Sequence, residues 1–446
     1  MNTPIHDFVR RYADSRAARL HVPGHKGVGP LGCEGWDITE IAGADALYEA
    51  EGIIAESERN AAALFGAGAT FYSAEGSSLC IRAMLYLAMA NRAPGGGRPL
   101  ALAARNAHKA FLYAAALCDF DVEWLWPETD APLCACPVTP EALARRLDDM
   151  GERPFCVYVT SPDYLGGMQD VRGLADVCHA RGVPLIVDNA HGAYLKFLPE
   201  SRHPLDLGAD MCCDSAHKTL PVLTGGACLH VSKAADPRFI AGVKAALSLF
   251  GSTSPSYLIL QSLDLCNARL AGDFPERLAD AAGRVDALKR TLTARGFDVL
   301  PGEPMKLTLR GDGLAMAREL RAQGIEYEYA DAAHAVLMFA PDNPPEDCAR
   351  VAAALTRPSA APVLPPIPRA PRVMSVREAV FAPSETLPPA RAVGRVCAAP
   401  AVACPPAIPI AVSGEVITAE AAEAMRGYGV EWVRCVYQGE ESGNRN

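Results

Sequence analysis

Several signals are missing from this sequence. No run of about 18 uncharged apolar residues occurs, which argues against a membrane span. The opening stretch MNTPIHDFVRRYADSR has no apolar signal core and reads as a short amphipathic helix. No repeat recurs at a period of about 20–50 residues. None of the 15 cysteines forms a C-x-x-C pair, and the close pairs Cys134/Cys136 and Cys212–Cys213 lack the spacing of a zinc knuckle. An odd count in so long a chain does not suit a disulfide scaffold, so they read as small buried hydrophobes in a reducing compartment. Positive charge is also short: 42 Lys and Arg face 52 Asp and Glu, a net −10. That balance excludes a protein whose main work is coating nucleic acid or anionic membrane. His21 and His25 stand four apart, but Pro23-Gly24 between them prevents a shared helical face, so no metal is expected there. What remains is a cytoplasmic enzyme acting on a small molecule.

What is present fits that class. The chain has 446 residues, half of them hydrophobic, enough for two or three domains at about 150 residues each. From about 57 to 235, helical and strand-like segments alternate: SERNAAALFGA, then ATFYSA; GSSLCIRAMLYLAMANR, then RPLALAA and HKAFLYAAALC; FCVYVTS, VRGLADVCHARG, VPLIVDNA and ADMCCDSA. Short apolar strands between helices predict an α/β fold with a mostly parallel sheet covered on both faces. A long helical stretch follows, then a smaller α+β segment with strands MKLTLR and HAVLMFA around the helix GLAMARELRAQG. RPSAAPVLPPIPRAPR reads as a stiff extended linker. A last α+β module carries strands AIPIAV and VEWVRCVY around a helix near TAEAAEAMRG. The expected divisions are 1–295, 296–356, the linker 357–372, and 373–446.

The chemistry collects at strand ends, where ligands of such sheets bind. Asp188 ends a buried apolar strand, a costly position for an unpartnered carboxylate. The next strand delivers Ser215, His217 and Lys218 into a turn. Gly76-Ser77-Ser78 opens a helix and offers amides and hydroxyls to a phosphate, and His108 follows another strand. Singly, each has a plainer reading: an N-cap, a turn aspartate, an interior histidine, a surface lysine. Together they suit pyridoxal phosphate (PLP), which needs a lysine for its aldehyde, an anion for its pyridine nitrogen and donors for its phosphate.

The runs HVPGHKG, DITEIAGADALYEAEGII, VDNAHGAY, DSAHKTLPVLTGGA and GSTSPSYLILQSLD resemble the Orn/Lys/Arg decarboxylase family, as do AVGRVCA, CPPAIPI and GEVI near the end. The resemblance implies the PLP-dependent transferase fold type I. It implies a small α+β domain, a C-terminal α+β domain and a homodimer with shared sites. It resembles the short form, which lacks the N-terminal receiver-like wing of the long decarboxylases. It further implies that Lys218 forms the Schiff base with the cofactor and that Asp188 pairs with the pyridine nitrogen. His108 would stack on the ring, with Ala190 on its other face and His191 beside it. Ser77, Ser78, Ser215 and His217 would hold the phosphate, and Ser252 and Thr253 would reach the neighbouring subunit's site.

The implied reaction is decarboxylation of lysine, arginine or ornithine to the amine used in polyamine biosynthesis, with Lys218 or a nearby histidine reprotonating the α-carbon. An aminotransferase, another PLP-dependent lyase or a PLP-binding protein without turnover are the alternatives on the same fold. For the substrate's distal charge the candidate carboxylates are Asp37, Glu40, Glu378, Glu385 and Glu415, though any one of them reads more readily as a surface salt bridge or solvated acid. Two departures from the family pattern stand out. The phosphate turn has Ser78 where Thr is usual, and Ala407 stands where Gly is common; if that position needs φ > 0, the alanine would strain its loop.

Overall fold

The computed structural model describes residues 1–93, 97–399 and 406–438. Seven short strands form its main sheet: β1 (Ala69–Ser73), β2 (Leu100–Ala104), β3 (Asp121–Leu125), β4 (Cys156–Thr160), β5 (Leu185–Asp188), β6 (Met211–Asp214) and β7 (Ala227–Val231). Their spatial order is β1-β7-β6-β5-β4-β2-β3. The pairs from β3 across to β6 are parallel, whereas β7 runs antiparallel to both its neighbours. Every residue of β5 and β6 is buried, which is why these stretches read as continuous apolar runs rather than alternating ones.

Helices close both faces. In chain order they are α1 (Pro4–Asp14), α2 (Ile53–Phe65), α3 (Ser77–Ala90), α4 (Lys109–Cys118), α5 (Pro140–Asp149), α6 (Val171–Ala180), the single turn α7 (Ala216–Thr219), α8 (Pro237–Phe250), α9 (Tyr257–Leu270) and α10 (Phe274–Ala294). Leu79, Met84, Phe111, Val243 and Leu247 from α3, α4 and α8 pack on one face; Leu143 and Leu174 from α5 and α6 pack on the other. The amphipathic start does fold as α1. Its buried Ile5 and Val9 each contribute roughly 1.5–3 kcal/mol. The amides of Ile5 and His6 donate to the Asp264 carboxylate of α9 at 2.9 and 3.0 Å, supplying the acceptor that a helix N-terminus lacks.

A second, antiparallel sheet has the order β10-β11-β9-β8, from β8 (Asp298–Val299), β9 (Lys306–Arg310), β10 (Tyr329–Ala330) and β11 (His334–Met338), with α11 (Gly313–Ala322) and α12 (Glu346–Ala354) beside it. Residues 357–372 carry no helix or strand beyond one bridge from Arg372 to Glu415. The last region pairs β12 (Ser384–Leu387) with β13 (Val433–Val436) and includes α13 (Val376–Phe381), α14 (Pro389–Ala392) and α15 (Ala419–Gly427). Among the described residues no helix is long and apolar enough to cross a membrane.

One expected strand is absent. AIPIAV is buried yet irregular. Pro409 cannot donate to a ladder, and the carbonyls of Pro409 and Ile410 accept instead from the Arg105 guanidinium, each at 2.8 Å. Burial alone made the segment look like a strand. Cys404 and Pro405 of the CPPAIPI run lie outside the described residues. β3 and β7 were not anticipated: DVEWL is an edge strand with acidic residues, and ACLHV follows the LTGGA turn with no break of its own.

Ala407 has φ +57° and is buried, so the departure from glycine does carry backbone strain. A left-handed alanine costs roughly 1–2 kcal/mol, partly offset here by the buried methyl. Ala407→Gly should therefore raise stability by about 0.5–1 kcal/mol. Thermal unfolding checks this; an unchanged or lower melting temperature would contradict it.

Candidate active site

β5 and β6 lie side by side in parallel, with Asp188 opposite Cys213, so the turns that follow them open on the same sheet end. Asp188 is 3% exposed. Its carboxylate accepts from the Tyr158 hydroxyl at 3.0 Å and the Ala190 amide at 3.1 Å, which fixes its orientation. After β6, Ser215 leads into α7, which carries His217 and Lys218. The Lys218 Nζ lies 3.0 Å from His191 Nε2, in the turn after Asp188. His217 Nδ1 donates to the Gly226 carbonyl at 3.0 Å, and burial lowers its pKa.

Gly76, with φ +72°, is the N-cap of α3 and supplies no side-chain cap. A Cβ at Gly76 would meet nothing within 4 Å, so the helix N-terminus opens on free space. Ser77 and Ser78 follow, both partly exposed, and the Ser215 hydroxyl donates to Ser77 Oγ at 2.7 Å. Backbone amides, the helix dipole and hydroxyls from two strand ends thus converge in an open cradle suited to an anion. His108 caps α4 by accepting from the Ala110 amide through Nδ1 at 3.1 Å, so its proton sits on Nε2. Burial brings its pKa down to about 4 against the pull of Asp188, so the ring is neutral. The Lys109 amide donates to the Ala407 carbonyl at 3.0 Å, which brings the strained loop against this histidine's helix.

The structure therefore brings Ser77, Ser78, His108, Asp188, Ala190, His191, Ser215, His217 and Lys218 to one end of the sheet. Ser252 and Thr253 are exposed; the Ser252 amide donates to Glu75 of the same chain at 2.6 Å, just before the cradle. Neither caps α9, whose N-cap is Ser256. The donor set fits PLP: a helix start without a side-chain cap for phosphate, an oriented carboxylate, and a lysine in the turn after the adjacent strand.

Three further residues enter that sequence reading missed. Tyr164, after β4, packs edge-on against the His191 ring at 4.8 Å, and its hydroxyl donates to the partly buried Glu328 carboxylate. Lys306 of β9 lies 3.3 Å from His191 Nδ1. The one available signal was a lysine embedded in the apolar run MKLTL. The five acids considered for the substrate's distal charge have partners of their own. Asp37 faces His25 at 3.2 Å, Glu40 accepts from Thr39, and Glu378 closes a capping box with Ser375. Glu385 holds Arg395 at 2.6 Å, and Glu415 accepts from the Val412 amide with Arg105 at 3.7 Å.

The His108 geometry has a pH consequence. Unfolded, the imidazole takes up its proton near pH 6.5; folded, only at about 4. Between those values the unfolded state binds more protons, so stability is lost as pH falls through that window. Because the ring keeps some solvent contact, the discounted effect is about 1–2 kcal/mol. In cofactor-free protein, denaturant titrations at pH 7 and pH 4.5 should show the wild type losing that much more than His108→Gln. Equal losses would show that the folded ring titrates normally.

A family model described as the Orn/Lys/Arg decarboxylase major domain matches residues 3–292. The arginine decarboxylase of Bacillus subtilis (strain 168) is 29% identical over 462 aligned positions, covering 94% of this chain and 92% of the relative. That of Halalkalibacterium halodurans is also 29% identical, covering 93% and 91%. Among solved structures, a Francisella novicida lysine decarboxylase superposes with TM-score 0.79 at 16% identity, over 98% of this chain and 81% of that one. The E. coli constitutive lysine decarboxylase gives 0.77 at 18% identity, over 98% and 82%. The shared fold and the match over residues 3–292 lead to one conclusion: the chain belongs to the Orn/Lys/Arg decarboxylase family.

Proposed function

We propose that this protein removes CO₂ from a basic amino acid, arginine being the first to test, using PLP held at Lys218. The observation that carries this reading is the pairing of Asp188 and Lys218 at adjacent parallel strand ends beside the open α3 start. When bound, PLP supplies a protonated pyridine that accepts the electron pair of the broken C–COO⁻ bond. Asp188 keeps a proton on the pyridine nitrogen, and each unit by which it raises that pKa is worth about 1.4 kcal/mol. Ser77, Ser78, Ser215 and His217 hold the phosphate; His108 and Ala190 confine the ring from its two faces. Lys218 or His191 returns a proton to the α-carbon. Glu328, through its contact with Tyr164, reads the distal ammonium or guanidinium. A cytoplasmic setting suits the buried free thiols of Cys80, Cys156, Cys212, Cys213 and Cys228.

Borohydride reduction of the purified protein followed by peptide mapping should label Lys218, and a panel of lysine, arginine and ornithine should yield CO₂ and the matching amine without a 2-oxoacid. In the same panel Glu328→Gln should raise KM by about 10–100-fold, the value of one charged hydrogen bond. Label on another lysine, or product only in the presence of a 2-oxoacid, would overturn the reading in favour of another reaction on this fold.

A homodimer belongs to the same proposal. Leu20 and Leu31 are 94% and 82% exposed in a segment rich in apolar side chains, which suits coverage by a second copy. Ser252 and Thr253 would then reach the partner's phosphate. Lys218→Ala chains mixed with chains in which Thr253 and Ser254 are both Ala should regain activity, since one of the two sites in a mixed dimer is intact. No recovery despite demonstrated subunit exchange would mean that each site is built within one chain.

A further inference from the structure

Lys306 belongs to the second sheet, yet it is 3% exposed and reaches the turns that follow β4 and β5. Its Nζ lies 3.2 Å from the Asp163 carbonyl, 3.4 Å from the Tyr164 carbonyl and 3.3 Å from His191 Nδ1. An ammonium has three N–H donors and no acceptor, and here it meets two carbonyl oxygens and one imidazole nitrogen. While charged it can only donate to that nitrogen, whereas a neutral amine could donate to the two carbonyls and accept from the ring. Burial pulls the Lys306 pKa down, while the carboxylates of Glu303, Asp163 and Glu328 support its charge.

That contact decides which nitrogen of His191 carries the proton. With Nδ1 accepting from Lys306, a neutral ring bears its hydrogen on Nε2, which faces Lys218 Nζ at 3.0 Å. The ring stays neutral because it is buried, and the Lys306 charge beside it disfavours a second positive charge. An Nε2–H is satisfied only by a partner that offers a lone pair. A protonated Lys218 offers none; a free amine does.

We infer that Lys306 is a positioning residue: it fixes His191 as the Nε2–H tautomer and thereby holds the Lys218 amine unprotonated, the form a nucleophilic lysine needs. This rests on the proposed role of Lys218, but its test does not depend on turnover. The Lys306 charge acts on Lys218 in the same direction, across one imidazole. A unit charge at that range, in a partly screened interior, shifts a lysine by about one pH unit.

The test uses full-length protein freed of cofactor, exposed to trace acetic anhydride across a pH series, with acetylation of the Lys218 peptide read by mass spectrometry. The wild-type midpoint should lie well below the ordinary lysine value of about 10.4. In Lys306→Met it should rise by about one unit, and Lys306→Arg, which keeps the charge and the donor, should stay nearer the wild type. Should Lys306→Met fail to fold, selective ¹³C and ¹⁵N histidine labelling of the wild type reads the tautomer directly. The inference is overturned by equal midpoints in wild type and Lys306→Met, or by an Nδ1–H tautomer at His191. Failure of the functional reading is a separate result: borohydride label elsewhere than Lys218, whatever the midpoints.

Discussion

The geometry of the site depends on one buried carboxylate that takes no part in the chemistry. Asp214 is the last residue of β6 and is fully buried. One oxygen accepts from Asn189 Nδ2 at 2.6 Å; the other faces the Nε2 atoms of His203 and His230 at 3.1 and 3.2 Å. Burial alone would favour its neutral form, but the two histidines reverse that and hold its pKa well below the usual carboxylate range. The donors come from three places: the turn after Asp188, the loop beyond it, and the antiparallel β7. One charge therefore ties together the strand end that carries Asp188, the turn that carries Lys218, and the strand that runs back beside it. Leaving such a carboxylate without partners costs about 3–5 kcal/mol, so the frame around Lys218 is held far more tightly than a surface turn.

The second sheet is bonded to this frame along one line. The Thr308 hydroxyl donates to the Leu165 carbonyl at 2.7 Å, the Tyr194 hydroxyl meets Glu303, and Glu303 in turn accepts from the amides of Met305 and Lys306 at 2.6 and 3.0 Å. These bonds run through the loops that carry Tyr164 and His191. The side chains that surround Lys218 are thus oriented by both sheets, and Glu328 enters from the same edge.

Much of this was legible in the sequence, for a physical reason. Parallel strands buried on both faces announce themselves as unbroken apolar runs, and the residue that ends such a run, Asp188 or Asp214, stands out by its charge. Lys218, Ser215 and His217 could be read because they lie within a few residues of one strand end. The partners brought from a distance could not. A lysine within the apolar run MKLTLR hints at burial but names no partner, and Tyr164 gains its meaning only when β4 is set beside β5. AIPIAV shows the converse error, since burial without a ladder has the same apolar signature as a strand. The acids considered for the distal charge were drawn from the ends of the chain, whereas Glu328, the carboxylate bonded to Tyr164, comes from a segment with little motif content.

The docking of Lys306 against His191 also bears on synthesis. Asp188 and Lys218 leave the ribosome well before β9, and the 406–410 segment that meets Arg105 and Lys109 comes later still. A nascent chain can thus complete the seven-stranded sheet while its central lysine still lacks its neighbours from the second sheet. The order of translation thus separates the synthesis of the strands that carry Asp188 and Lys218 from that of the residues that pack around them.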